Sequence, residues 1–249
     1  MKIAIAQPTY LPWLGYFDLI DQVDKFVLLD TVQFEKQSWQ QRNRIKAPTG
    51  LEWLTVPVKI RGRSTQIIEE VEIAEPEFCK RHLNLVRAHY RTANYFKEFF
   101  PQFSGILEAS CGGWLAVLNF RLIEWLMASL GITVPLVLSS TLKVAGKRSA
   151  LNLAICERLC ATQYYSAIGS AVYLLSDVDL FTRQGVEVCF QNYAHPEYRQ
   201  LFPPFCPYAS VLDLLFNEGP RSPEIIRSGR RTSLAPAEVA LHLNERVGY

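Results

Sequence analysis

The sequence predicts an α/β fold, an open and mostly parallel sheet flanked by helices, with a smaller helical part. Three observations carry that expectation. Continuous apolar runs at Lys2–Ala6 (KIAIA) and Lys25–Leu29 (KFVLL) suit strands covered on both faces. Between them Leu14, Phe17, Ile20 and Val23 recur every three residues, so a helix over Gly15–Val23 joins two strands in the βαβ rhythm, a crossover that implies parallel pairing. Apolar runs and helical spacing then keep alternating down the chain.

Taken in order, Trp53–Val58 (WLTVPV) and Ile67–Ile73 have strand character, punctuated by Gly50 and the turn Arg61–Ser64, and suggest an antiparallel excursion. Glu77–Phe100 carries Phe78, His82, Leu85, Val86, His89 and Tyr90 at helical spacing, with a break near Ala93-Asn94. Trp114–Leu130 is the clearest helix, and Gly131 stops it. Val134–Leu138 is expected as a strand, Ala150–Leu159 as a helix, and Gln163–Ala167 and Val186–Gln191 as further strands. His195–Tyr208 is a loop of prolines and aromatics, and Ser210–Phe216 a short helix. The expected organisation is one α/β domain over residues 1–220 with a peripheral segment over 221–249.

Composition narrows the class. A chain of 249 residues buries roughly 70–75% of its unfolded surface and needs no staples. With 49% hydrophobic and 20% charged residues it is an ordinary globular sequence. Its 26 basic and 24 acidic residues leave a net charge of +2, too weak a field to argue for nucleic acid or an anionic membrane. The apolar run before Gln7-Pro8 is too short for a signal-peptide core, and Arg121 and Glu124 interrupt the most apolar later stretch. A cytoplasmic location is expected. The six cysteines lack CxxC spacing and are expected as small buried hydrophobes, with no metal site.

In open parallel sheets ligands bind beyond the carboxyl ends of strands, so polar residues following each strand are the candidates. After the first strand come Gln7, a fixed amide, and the rings of Tyr10, Trp13 and Tyr16, suited to stacking on a base or sugar. The alternative is a rigid loop that merely caps the sheet. After the second strand DTVQFEKQSWQQRNRIK supplies Asp30 and Gln33 and then the basic cluster Arg42, Asn43, Arg44 and Lys46, whose cations suit a phosphate, or else form a solvated basic loop. Gly146-Lys147-Arg148-Ser149 opens a helix, where backbone N–H groups favour an anion, although an ordinary capped start explains it as well. The loop from Ser166 to Ser170 is built of small residues that let backbone approach a ligand. Of four histidines, His82 and His89 share a helix and His242 lies near the terminus. His195 alone sits in a proline-flanked loop, which makes it the candidate general base, with Tyr198 and Gln200 beside it.

Four segments together, QPTYLPWLGYFDLI, DTVQFEKQSWQQRNRIK, HPEYRQ and SVLDLLFNEGP, closely resemble the WbqC-like family of bacterial surface-polysaccharide gene clusters. The resemblance implies an acyl or aminoacyl (glycine) transferase or ligase that forms an amide on an amino sugar during O-antigen assembly. Ser166-Ala167 departs from the Ser-Gly start that members of the family often carry. A weaker similarity links the first forty residues to the nucleotidylyltransferase and pantoate ligase architecture. There a HxGH motif stabilises ATP phosphates, whereas Trp13-Leu14-Gly15-Tyr16 retains only the glycine.

Two functions follow. As an enzyme, the protein needs an acyl donor activated by ATP, CoA, a carrier protein or aminoacyl-tRNA, and a base, Asp30 or His195, to deprotonate the amine. Gln7, Tyr10 and Trp13 would then hold a sugar or nucleotide sugar, Arg42, Asn43 and Lys46 a phosphate, and Tyr198 and Gln200 would orient. As a non-catalytic module, it would bind the nucleotide or sugar alone. Convergence of Gln7, Asp30, Arg42 and His195 in one pocket would favour the enzyme; aromatics alone would favour binding.

Overall fold

The computed structural model describes residues 1–247, with side chains described through residue 241, so the side chain of His242 lies outside the described residues. The chain opens with β1 (Lys2–Ala6), α1 (Leu14–Asp21) and β2 (Lys25–Leu28). An antiparallel hairpin follows, β3 (Arg42–Ala47) and β4 (Gly50–Thr55), turning at Pro48-Thr49. Three helices come next, α2 (Phe78–Tyr90), α3 (Phe96–Ala109) and α4 (Leu115–Ser129). The second half runs through β5 (Leu136–Leu138), α5 (Ser139–Leu142), α6 (Ser149–Arg158), β6 (Gln163–Ser166), α7 (Ala171–Leu174), α8 (Val178–Arg183) and β7 (Glu187–Phe190). It closes with α9 (Val211–Glu218), α10 (Ser222–Ser228) and α11 (Pro236–Val247).

The main sheet has five strands in the order β5-β2-β1-β6-β7, every pair parallel. Strand alternation divides its side chains between two cores, which is why KIAIA is apolar throughout. Ala4, Phe26, Leu28 and Tyr165 join one core with α1 and the helical part formed by α2, α3, α4 and α9. Ile3, Ile5, Val27, Tyr164 and Val188 join the other with α6, α7, α8 and Val239 of α11. The first three sheet strands in the chain step one way from β1 and the last two step the other way, so the strand order reverses between β1 and β6. A crevice opens at the carboxyl ends of the strands beside such a reversal.

Several expectations need correction. Arg42–Lys46, expected as a basic loop, is a strand, because Asn43, Ile45 and Ala47 are buried in alternation with the cations. Only Trp53–Thr55 of the Trp53–Val58 segment belongs to β4, and Ile67–Ile73 is a 3-10 turn over Ile68–Glu70 with isolated bridges instead of a strand. The break expected near Ala93-Asn94 is present, at residues 91–95 between α2 and α3, but the helical region extends beyond Phe100 to Ala109. Gly131 does end α4: at φ +64 it lets Gly131 and Ile132 N–H groups return to the Ala128 and Met127 carbonyls.

The C-terminal segment is not peripheral. Arg230 bonds Asp18 at 2.9 Å and Asp21 at 2.6 Å, Arg227 bonds Asp21 with two nitrogens, and Leu234 pairs with Phe190 of β7. Asp18 is fully buried, so Arg230 supplies the countercharge that its burial requires. Cys79 and Cys111, expected as separate thiols, form a disulfide with Cα atoms 6.0 Å apart, brought together by the turn from α2 into α3. Among the described residues no helix is long and apolar enough to cross a membrane.

Candidate ligand-binding site

The loop leaving β1 and the start of α1 form one wall of the crevice. Gln7 accepts a hydrogen bond from Gln40 Nε2 at 2.8 Å, and its carbonyl accepts one from Tyr16. Trp13 precedes the first turn of α1, and its indole lies over Gly15, where any Cβ would overlap the ring. The N-terminal end of α1 is therefore covered by an aromatic side chain. Around the same indole stand Tyr193 at 5.7 Å, His195 at 6.0 Å in a near-parallel stack, and Tyr208 at 5.5 Å.

A cavity of about 290 Å³, at the lower limit for small-molecule sites, opens beside this cluster. Its walls come from the β1–α1 loop (Thr9, Trp13 and Tyr16), from Trp39, from Asn43 and Arg44 of β3, and from Tyr208. Asn43 is itself fixed, donating to the Tyr10 and Leu11 carbonyls at 3.2 and 2.7 Å, so β3 is laced to the β1–α1 loop. The hairpin adds Trp53, 5.5 Å from Trp39, with the Arg42 guanidinium 4.4 Å above the Trp53 ring.

Several proposed site residues lie elsewhere. Tyr10 is fully buried and donates to His82 Nδ1 at 2.8 Å, which withdraws ring and hydroxyl into the core. Lys46 is 1% exposed and directed inward, cut off from any phosphate in the cavity. Gln33 is exposed and bonds the Ser64 carbonyl. Asp30 is 2% exposed and accepts from Ser139 Oγ at 2.7 Å, Ser140 N at 2.9 Å and Ser140 Oγ at 2.6 Å, holding the start of α5. It borders a separate cavity of about 420 Å³ together with Glu69, Ser140 and Trp114, at the low end of ligand-sized sites. Burial, followed by the nearby Asp30 charge, holds the Glu69 carboxyl above its ordinary range.

His195 stands in the aromatic cluster, but the main chain occupies both of its nitrogens. A carbonyl can only accept and an amide can only donate, so Nδ1–H donates to the Pro196 carbonyl at 2.9 Å and Nε2 accepts from the Tyr208 amide at 3.1 Å. That leaves a neutral ring with no free lone pair, and burial lowers its pKa further. As folded, His195 positions Tyr208 instead of serving as a base. None of the cavities among the described residues is lined by Gln7, Asp30, Arg42 and His195 together.

Beneath the cluster lies a polar network that sequence patterning missed. Asp213 of α9 is fully buried and accepts from Tyr90 at 2.8 Å, Tyr198 at 2.7 Å and Gln200 at 2.9 Å. Tyr198 and Gln200 are thus tied to a buried carboxylate, and Gln200 also brackets Cys206 through its N–H and carbonyl. Burial pushes the Asp213 carboxyl above the usual range, against its hydrogen bonds and the nearby Lys46 charge. A lone aspartate within SVLDLLF gives no local sign of this role. Tyr208 was likewise missed, although the aromatic loop that holds it was the available signal, whereas Arg44 belongs to the basic cluster expected to meet a phosphate. Gly146, Lys147 and Arg148 are exposed ahead of α6, and Ser166 and Ser170 hydrogen-bond each other beside β6.

A model of the WbqC-like protein family matches residues 7–225. An uncharacterized protein of Mycobacterium tuberculosis is 36% identical over 231 residues, a match covering 92% of this chain and 99% of that protein. No solved structure matches the chain.

Proposed function

The chain belongs to the WbqC-like protein family, and from that premise we propose that it binds a sugar- or nucleotide-bearing small molecule of surface-polysaccharide biosynthesis in the aromatic cavity. The supporting observation is the convergence of Trp13, Tyr16, Trp39 and Tyr208 with Asn43 and Arg44 around one concave site. Flat rings present apolar faces to a sugar or base, and a few placed polar groups fix its orientation. Among the described residues the lining holds no histidine, carboxylate, lysine or cysteine, which suits recognition better than proton transfer.

A second role, the amide-forming acyl or glycyl transferase, draws its support from the neighbouring cavity. Asp30 and Glu69 meet there, and a carboxyl held above its ordinary pKa is the kind of group that moves a proton at an attacking amine. Its donor would be activated by ATP, a CoA thioester or aminoacyl-tRNA.

Isothermal titration with a panel of nucleotide sugars, amino sugars and CoA thioesters tests the binding role. Stacking contributes about 1–3 kcal/mol per ring, so Tyr208→Ala and Trp39→Ala, both at exposed positions, are expected to weaken the best ligand about tenfold or more while the fold is kept. Equal affinities in wild type and variants would overturn it. Glycine transfer to an amino sugar that is lost in Glu69→Gln would establish the second role.

A further inference from the structure

We infer that Arg42 and Arg44 form an anion clamp on the β3–β4 hairpin, so that the ligand of the aromatic cavity carries a phosphoryl group; this presupposes the binding site proposed above. Strand alternation puts Arg42, Arg44 and Lys46 on one face of β3. Their surroundings differ sharply. Lys46 is buried near the Asp213 carboxylate with no hydrogen-bond partner for its Nζ, whereas Arg42 and Arg44 are part-exposed, and among the described residues neither has a side-chain hydrogen bond or an ion pair. Arg44 Nε is even closed off from water without an acceptor. A charge left uncompensated in a cavity wall calls for a partner from outside.

The two guanidinium groups are held ready for one. Arg42 lies 4.4 Å from the Trp53 ring centre, and Arg44 lies 5.5 and 5.4 Å from Trp39 and Trp53. The indoles remain 48% and 42% exposed, unusual for rings of this size, so they serve the arginines and the cavity mouth more than the core. Guanidinium groups set over indole rings keep their terminal N–H groups for an acceptor, and arginine can grip phosphate with two parallel bonds. Side chains already ordered by stacking lose little further freedom when a ligand arrives. Among the described residues no carboxylate lines the cavity to compete. Arginine interleaved with aromatics also suits single-stranded nucleic acid, but a pocket of about 290 Å³ on a chain of net charge +2 fits a small molecule better.

Isothermal titration of the full chain with UDP-glucose, glucose 1-phosphate, glucose and a short single-stranded oligonucleotide decides the matter. The phosphoryl ligands are expected to bind at least tenfold more tightly than glucose. Arg44→Ala should remove most of that difference by weakening the phosphoryl ligands at least tenfold more than glucose, Arg44→Lys should restore only part because an ammonium lacks the fork, and added salt should weaken only the charged ligands. Preference for UDP-glucose over glucose 1-phosphate would mark a nucleotide as the source of the phosphoryl group, and the reverse a sugar phosphate. Glucose binding as tightly as the phosphoryl ligands, or Arg44→Ala without effect, would overturn the clamp while leaving the aromatic site standing if Tyr208→Ala still weakens both. Absence of binding by every ligand would remove site and clamp together, and an oligonucleotide preferred over all of them would overturn the small-molecule assignment. An unchanged melting temperature in the arginine variants confirms that the fold is kept.

Discussion

Gly15 offers a test in which the sign of the effect carries the information. It occupies the first turn of α1, where alanine in place of glycine ordinarily stabilises a helix by about 0.5–1 kcal/mol. At this position the opposite is expected, because a Cβ would overlap the six-membered ring of the Trp13 indole. Forcing an extra carbon into packed surroundings costs about 1–3 kcal/mol. Moving the indole also loosens its contacts with Tyr193, His195 and Tyr208, each worth about 0.5–1.5 kcal/mol when well formed. After the helix gain is offset, Gly15→Ala should destabilise the protein by about 1–3 kcal/mol, a fall in melting temperature of roughly 3–10 °C for a chain of this length. Thermal denaturation of Gly15→Ala, Trp13→Ala and the double variant forms a cycle. With the indole gone, Gly15→Ala should become neutral or stabilising. A raised melting temperature in the Trp13 background, or the same shift in both backgrounds, would refute the claim that Trp13 covers the end of α1.

Two further outcomes concern the buried polar groups. Burial lowers His82 from its usual 6.5 to about 4, so the folded state keeps the ring neutral while the unfolded chain takes up a proton first. Its contribution is complete above pH 6.5 and lost as pH falls toward 4, about 3 kcal/mol over the window at 1.36 kcal/mol per unit. Urea unfolding at stepped pH should show that loss in wild type and a flatter curve in His82→Gln; parallel curves would refute it. Asp213→Ala leaves the Tyr90, Tyr198 and Gln200 donors and the Lys46 cation without their carboxylate, and should cost about 3–5 kcal/mol by urea unfolding, with Asp213→Asn recovering part. Wild-type stability in Asp213→Ala would mean that water takes over those bonds.

Much of the fold was legible locally. Lys2–Ala6 and Lys25–Leu28 are apolar on both sides because both sides are covered, and Gly131 marks the end of α4 because glycine alone readily takes that turn. The hairpin strand Arg42–Ala47 was hidden by its own charges, since three cations in six residues suggest a solvated loop until the buried partners Asn43, Ile45 and Ala47 are seen. The candidate site was half legible. Trp13 and Arg42 stand at or beside the aromatic cavity, whereas Tyr10 and Lys46, from the same segments and of the same chemical types, turn into the interior.

Residue type and spacing in this protein determined the parallel sheet and the rigid aromatic turn after its first strand. Tertiary structure decided which groups are left free to act. His195 is silenced by one carbonyl and one amide, Asp30 by two serines 109 and 110 positions away, and Asp18 by an arginine 212 positions away, while Arg42 and Arg44 have no ion pair among the described residues. The physical reason is that a side chain's chemistry depends on the donors, acceptors and water within a few ångströms of it. Local pattern selects a residue's element and face, but its neighbours there come from distant parts of the chain.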